Sequence, residues 1–170
     1  MKIIGALFII GTSFFIGFDQ ARRLTERTRQ IRHVKNALLH LEAEIMFGHA
    51  PLHEASRRIA GRFSGPIGEL FQVFAASLIR KEILAQEAWE LSIEQIWKKT
   101  ALKQTERDIL LQFGKTLGKH DLEHQQKQIR LALSHLERVE KEAEENQRVY
   151  GNMYRSLGLL TGLLITLLLI

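Results

Sequence analysis

Two uncharged apolar stretches, one at each end of the chain, constrain the fold more than any other feature. The first covers residues 3–18 and the last covers residues 157–170, and nearly all ionisable residues lie between them. A helix that is apolar on all faces at a chain terminus is more often a membrane span than a buried core helix. The pattern therefore predicts transmembrane helices at residues 3–18 and 156–170, around a polar domain of residues 19–155.

The first apolar stretch is short for a membrane span. Its 16 residues cover about 24 Å of helix, against a hydrocarbon core of about 30 Å. Local thinning of the bilayer and the flanking side chains of Lys2 and Arg22 would compensate. A cleaved secretory signal is the alternative, but the residues before Gly17 and Ala21 do not suit a signal peptidase. We therefore interpret the stretch as an uncleaved anchor.

Small residues recur four apart in both apolar stretches. This spacing allows two helix backbones to approach closely, which favours helix packing in a membrane. We therefore predict that the two terminal helices pack on each other through Ser13, Gly17, Gly158 and Gly162.

Basic residues crowd the inner flank of the first apolar stretch. They are Arg22, Arg23, Arg27, Arg29 and Arg32. Because basic loops stay on the cytoplasmic side of a membrane, this bias predicts a cytoplasmic central domain. The same arginines are candidates for contact with anionic lipid or with a protein partner. Nucleic-acid binding is the weaker interpretation, and we expect none.

The central part of the chain consists mainly of good helix formers, with two prolines and no cysteine. Apolar residues at alternating spacings of three and four predict one long helix through residues 31–45 and another through residues 129–143. Shorter amphipathic segments between them predict four further helices. The predicted fold class is an all-α antiparallel bundle of about six helices, whose first and last helices continue into the transmembrane segments. A disulfide framework is excluded.

Two pairs of histidines, His49–His53 and His120–His124, have the spacing of metal ligands on a helix. Both members of such a pair must lie on one continuous helix to bind one metal ion. Pro51 separates the first pair and Asp121, a good N-cap residue, separates the second. We therefore interpret both pairs as helix corners. The sequence also lacks nucleophile, phosphate-loop and dinucleotide motifs, so we predict no metal, no cofactor and no enzymatic activity.

The two corners resemble those of the type II secretion F-protein family. The corner residues, which we interpret as structural, are Gly48, Pro51, Leu52, Leu117, Gly118, Asp121 and Gln125. F proteins usually carry two such domains and a larger membrane part, whereas this chain has one. The segments LEAEIMFGHAPLHEAS, QFGKTLGKHD and SLGLLTGLL, in this order, resemble more narrowly the stage III sporulation protein AB family of endospore-forming bacteria.

The resemblance implies a function that the residues alone do not. It implies a non-enzymatic platform or scaffold subunit in the mother-cell membrane, within the channel that links mother cell and forespore. The implied partners are a cytoplasmic ATPase, stage III sporulation protein AA, and the other stage III channel proteins, and self-association into a homo-oligomer stays open. From the residues alone, two alternatives remain: a two-span membrane sensor or signalling protein, and a histidine-based metal-binding protein.

Overall fold

The computed structural model describes residues 2–47, 50–80, 83–118 and 122–169, and these ranges are helical with short connections and no strand. The helices are α1 (Lys2–Phe47), α2 (Leu52–Arg62), α3 (Pro66–Arg80), α4 (Ala85–Ile96), α5 (Gln104–Gly114) and α6 (Leu122–Leu169), with a 3₁₀ turn at Trp97–Lys99. The predicted all-α fold of about six helices is confirmed.

The chain divides into two compact units. Unit 1 comprises Met1–Thr28 and Lys141–Ile170, and unit 2 comprises Arg29–Glu140. Unit 1 therefore contains the terminal parts of α1 and α6, and unit 2 contains the remainder of both helices with all of α2 to α5. The predicted central domain, residues 19–155, includes unit 2 and extends beyond it at both ends.

Unit 1 is an antiparallel pair of helices that meet at two glycines. A Cβ atom built on Gly17 would lie 2.5 Å from the carbonyl oxygen of Tyr154 and 3.1 Å from Cα of Gly158. A Cβ atom built on Gly158 would lie 2.8 Å from the carbonyl oxygen of Ser13. The two small-residue faces are thus in backbone contact, and Gly162 is also buried.

Neither terminal helix supports the prediction of a membrane span. Within the described ranges, no helix combines the length and the apolar character that crossing a membrane requires. The physical reason lies in the sequence: the uncharged runs at residues 3–18 and 157–170 are shorter than the roughly 20 apolar residues of a typical span.

Unit 2 is framed by the antiparallel pairing of its two long helices. The carboxylate of Glu140 on α6 accepts hydrogen bonds from Arg32 Nε and Lys35 Nζ on α1, both at 2.7 Å. Further along the pair, Glu42 on α1 accepts from Arg130 Nε at 3.0 Å. The predicted apolar stripes lie buried along the two helices, at Ile31, Val34, Leu38, Leu41, Ile129, Ala132, Leu136 and Val139.

The four shorter helices alternate in direction, which gives unit 2 two distinct ends. We call the end where α1 enters and α6 leaves the basal end. The connection between α2 and α3 lies there, because the Phe63 ring is 5.6 Å from the His33 ring. The connection between α4 and α5 also lies there, because the Ala101 N–H donates to Gln30 Oε1 at 2.8 Å. The remaining turns therefore lie at the opposite end, which we call the far end.

The core of unit 2 is organised around Trp89 on α4. Its ring is fully buried and meets the rings of Phe71, Phe74 and Phe113 edge-on, with centroid distances of 5.0–5.5 Å. The indole N–H donates to the carbonyl oxygen of Leu110 at 2.8 Å. Aromatic edge-to-face packing with a satisfied indole donor is a stable core arrangement. Trp89 thus has a structural role.

Two helix starts differ from what their local residues favour, since proline is typical of the first turn of a helix and threonine, as at Thr105, is typical of an N-cap. Pro51 is the residue that precedes α2, with an extended ψ of 143°, rather than a member of its first turn. Helix α5 begins after Lys103, two residues earlier than a cap at Thr105 would place it. The Glu106 carboxylate accepts from the Lys103 N–H at 3.0 Å and so stabilises this start.

Candidate functional site

The described corner residues that carry the family resemblance lie at helix ends and turns. Gly118 has a φ of +74°, which a residue with a side chain rarely adopts. Leu117 beside it is buried, and Gln125 is half-buried on the first turns of α6. Pro51 and Leu52 form the start of α2. Gly48 and Asp121 lie outside the described residues.

The histidines form no metal site in the described part of the chain. His53 lies on α2 and His124 on α6, whereas His49 and His120 fall outside the described ranges. Helix α1 ends at Phe47, and α2, which carries His53, begins at Leu52. No group of three or more histidine, cysteine, aspartate or glutamate side chains is arranged to hold a metal ion within these ranges.

The five arginines on α1 differ in exposure. Arg22 and Arg29 are exposed, and Arg23 is exposed but forms an ion pair with Asp19 at 3.1 Å. Arg27 is only 2 % exposed, and its Nη1 lies 3.8 Å from Glu142. Arg27 is therefore part of the packing inside unit 1 rather than of an open surface, and Arg32 binds Glu140. Their predicted contact with lipid or a partner stays a prediction.

Glu140 is the electrostatic centre of the pairing between α1 and α6. Burial by itself raises the pKa of Glu140, but hydrogen bonds and charge attraction from Lys35 and Arg32 outweigh that effect. The pKa of Glu140 therefore lies below its ordinary value of 4.5. The carboxylate is largely buried, whereas Arg32 is about half exposed. Glu140 is thus ionised at neutral pH and joins the two helices through Arg32 and Lys35.

A groove between α5 and α6 is a surface feature that sequence analysis missed. It has a volume of about 280 Å³ and lies in unit 2. Ile109, Phe113 and Leu131 supply its apolar floor, and Asp108 and Arg138 are among its polar lining residues. Leu131 is 51 % exposed and lines this groove together with the apolar residues of α5. The only indication of this groove in the sequence is Leu131, an apolar residue next to the buried stripe of α6.

Large apolar side chains are also exposed along unit 1. On α1 they are Phe15, Ile16 and Phe18. On α6 they are Leu157, Leu159, Leu160, Leu163, Leu164 and Leu167. A continuous apolar surface of this kind marks a contact with lipid or with another protein.

Comparison with known proteins identifies the family. Residues 2–170 match the family described as stage III sporulation protein AB. The stage III sporulation protein AB of Bacillus subtilis (strain 168) is 47 % identical over 169 residues, which cover 99 % of each chain. A solved structure of a stage III sporulation protein AB superposes with a TM-score of 0.70 at 48 % identity, and covers 73 % of this chain and 98 % of that chain. The chain therefore belongs to the stage III sporulation protein AB family.

Proposed function

We propose that this chain is a non-enzymatic platform subunit of the sporulation channel between mother cell and forespore. In this proposal it couples a cytoplasmic ATPase, stage III sporulation protein AA, to the other stage III channel proteins. The observation that carries the proposal is the full-length match to a family named for a sporulation stage. The resemblance of its two helix corners to those of secretion F proteins supports a role as a platform.

The apolar surface of unit 1 supports membrane attachment. Exposed leucines follow one another on α6 from Leu157 to Leu167, and Phe15 and Ile16 are exposed on α1. Burial of such side chains is favourable by about 1.5–3 kcal/mol each. We propose that lipid of the mother-cell membrane covers this surface and that unit 2 faces the mother-cell cytoplasm.

The groove between α5 and α6 is the proposed contact for the ATPase. A floor of apolar residues with charged residues around it is the geometry that accepts an amphipathic segment of a partner. Leu131 and Phe113 would contact the apolar face of that segment, and Asp108 and Arg138 would orient it.

Site-specific crosslinking in sporulating cells tests the coupling. A photoreactive phenylalanine replaces Leu131 in the groove, and in the matched control it replaces Leu91, an exposed leucine on α4. We expect the ATPase among the products crosslinked at position 131 and a much weaker product at position 91. If neither position crosslinks the ATPase while the full-length protein still supports sporulation, the coupling proposal fails.

Labelling of single cysteines tests the location of unit 2. The chain has no cysteine of its own, so Lys103→Cys introduces one exposed thiol. We expect a membrane-impermeant maleimide to label it only after the cells are permeabilised. Ser92→Cys is the control, because Ser92 is fully buried and its thiol stays protected until the protein is unfolded. Labelling at position 103 in intact cells would place unit 2 outside the cytoplasm.

A further inference from the structure

Charge is distributed unevenly between the two ends of unit 2. Exposed basic side chains lie at both connections of the basal end: Arg62 ends α2, Lys98 lies in the 3₁₀ turn, and Lys103 precedes α5. These connections are far apart in sequence. Only the folding of α2 to α5 brings them to the end where α1 and α6 continue into unit 1.

The acidic residues of the basal end do not offset these charges. Glu69, in the first turn of α3, forms an ion pair with Lys99. Glu106, in the first turn of α5, is fully buried and accepts the Lys103 N–H. Three exposed acids lie near this end, at Glu94, Asp108 and Glu137. They are outnumbered by the exposed basic residues of the same end, which include Arg29, Arg62, Lys98, Lys103 and Arg138. The basal end is therefore positive in balance.

The far end has a different balance. Helices α2, α4 and α6 begin there, and each carries a glutamate in its first turn: Glu54, Glu87 and Glu123. Glu87 and Glu123 are exposed. Exposed basic residues lie at the same end, among them Arg80, Lys115 and Lys127. Charges of both signs are thus mixed at the far end, as on an ordinary solvated surface.

Helix stability explains only part of this arrangement. Basic residues at the C-terminal ends of helices are stabilised by the helix dipole, which accounts for Arg62 and Lys98. Lys103 is placed before the N-terminus of α5, where the dipole disfavours a positive charge. A role outside the helix, in contact with a negatively charged surface, accounts for all three positions.

We propose that the basal end of unit 2 binds the anionic headgroups of the membrane surface through Arg62, Lys98 and Lys103. Arg29 of α1 is exposed at the same end of unit 2. Lysine and arginine near an anionic bilayer each strengthen binding about fivefold. This inference rests on the proposed membrane attachment and adds to it a specific surface, which needs no membrane-spanning segment.

Vesicle flotation of the full-length protein tests the proposal. The triple variant R62Q/K98Q/K103Q is compared with the control R80Q/K115Q/K127Q, which removes the same charge from the far end. Each protein is mixed with vesicles of phosphatidylcholine alone or with one third phosphatidylglycerol. We expect the wild type to bind anionic vesicles more tightly, and the basal variant to lose about tenfold or more of that affinity. The far-end control should retain most of it.

The possible outcomes separate this proposal from membrane attachment itself. If both variants lost affinity for anionic vesicles equally, binding would depend on net charge alone, and the proposal would be overturned. If neither variant lost affinity for anionic vesicles, the proposal would also be overturned. An acidic protein surface would then be the candidate partner of the basal end. Wild-type binding that ignores phosphatidylglycerol overturns the proposal but leaves attachment by unit 1 intact, whereas no binding to either vesicle overturns both. Thermal unfolding of each variant verifies that it is folded.

Discussion

Gly17 and Gly158 lie against each other in unit 1 with no room for a side chain on either residue. A Cβ atom on Gly158 would lie 3.2 Å from Cα of Gly17 and 2.8 Å from the carbonyl oxygen of Ser13. The obstructing atoms belong to the backbone, so they cannot move aside as the end of a flexible side chain can. Close backbone contact of this kind needs small residues on both helices.

Gly158→Ala should weaken the pairing of the two helices in unit 1. The added methyl group meets backbone atoms, and overpacking of this kind costs about 1–3 kcal/mol. We expect the amides around Gly17 to exchange hydrogen for deuterium faster, as measured by mass spectrometry on the full-length protein.

Gly151→Ala is the matched control for this substitution. Gly151 lies on the same helix, and a Cβ atom there would meet nothing within 4 Å. Replacing a helical glycine by alanine without a clash stabilises the helix by about 0.5–1 kcal/mol. The two substitutions should therefore change the stability of unit 1 in opposite directions. Equal exchange rates in both variants would contradict the close contact.

Gly118→Val should destabilise unit 2 through its backbone. Gly118 has a φ of +74°, and its Cβ position is only in ordinary contact with Ala85, at 3.5 Å. A left-handed conformation costs a residue with a side chain about 1–2 kcal/mol, and a β-branched residue more. Gly118→Asn should cost much less, because asparagine tolerates this conformation. Similar melting temperatures of the two variants would contradict the argument from backbone strain.

Trp89→Phe should destabilise unit 2 strongly, because it leaves a cavity and removes the hydrogen bond to Leu110. Large-to-small substitutions in a core cost about 2–5 kcal/mol. Trp97→Phe is the natural comparison. Trp97 is only partly buried, and its ring faces the Arg107 guanidinium at 5.8 Å. We expect a loss of about 1 kcal/mol or less at Trp97, measured as the shift in the urea midpoint of unfolding.

Glu140→Gln should destabilise unit 2 at neutral pH by about 1 kcal/mol, a modest value because Arg32 is half exposed. The pKa of Glu140 lies below its ordinary value of 4.5 in the folded chain. Its contribution is therefore fully present above that ordinary value and is lost as the pH falls through the lower, folded pKa.

The stability gap between the wild type and Glu140→Gln should accordingly narrow as the pH falls below about 4.5. Thermal unfolding across the acid range measures this gap. Glu94→Gln, at an exposed glutamate of α4, should change stability by less than about 0.5 kcal/mol at every pH. If the stability difference between the wild type and Glu140→Gln did not change with pH, the contribution of Glu140 would come from packing rather than from its charge.

The periodic apolar residues predicted most of the helices correctly. Ile31, Leu38 and Leu41 on α1, and Ile129 and Leu136 on α6, are all buried as their spacing predicts. The predicted corner residue Gly118 also lies at a break, with a positive φ. Spacing of three and four is a local property of the helix surface, so it can be read without knowledge of the fold.

The position at which α5 begins depends on tertiary contacts and not only on the local sequence. Thr105 is a good capping residue, yet the helix begins after Lys103, where Glu106 accepts the backbone N–H of Lys103. The burial of Glu106 among neighbouring elements decides between the two starts. The membrane spans were predicted from apolar character on the assumption that the bilayer adapts to short runs, but no described helix combines the required length and apolar character.

The sequence by itself determined the all-helical class, the two long terminal helices, the main breaks and the family. Only the tertiary structure decided which side chains meet. In the folded chain, Glu140 pairs with Arg32 and Lys35, and Arg27 is buried. A groove forms beside Leu131, and basic residues from separate connections lie together at the basal end. These contacts join positions up to about one hundred residues apart. They depend on helix direction and register, which the packing of whole helices fixes and which no local pattern encodes.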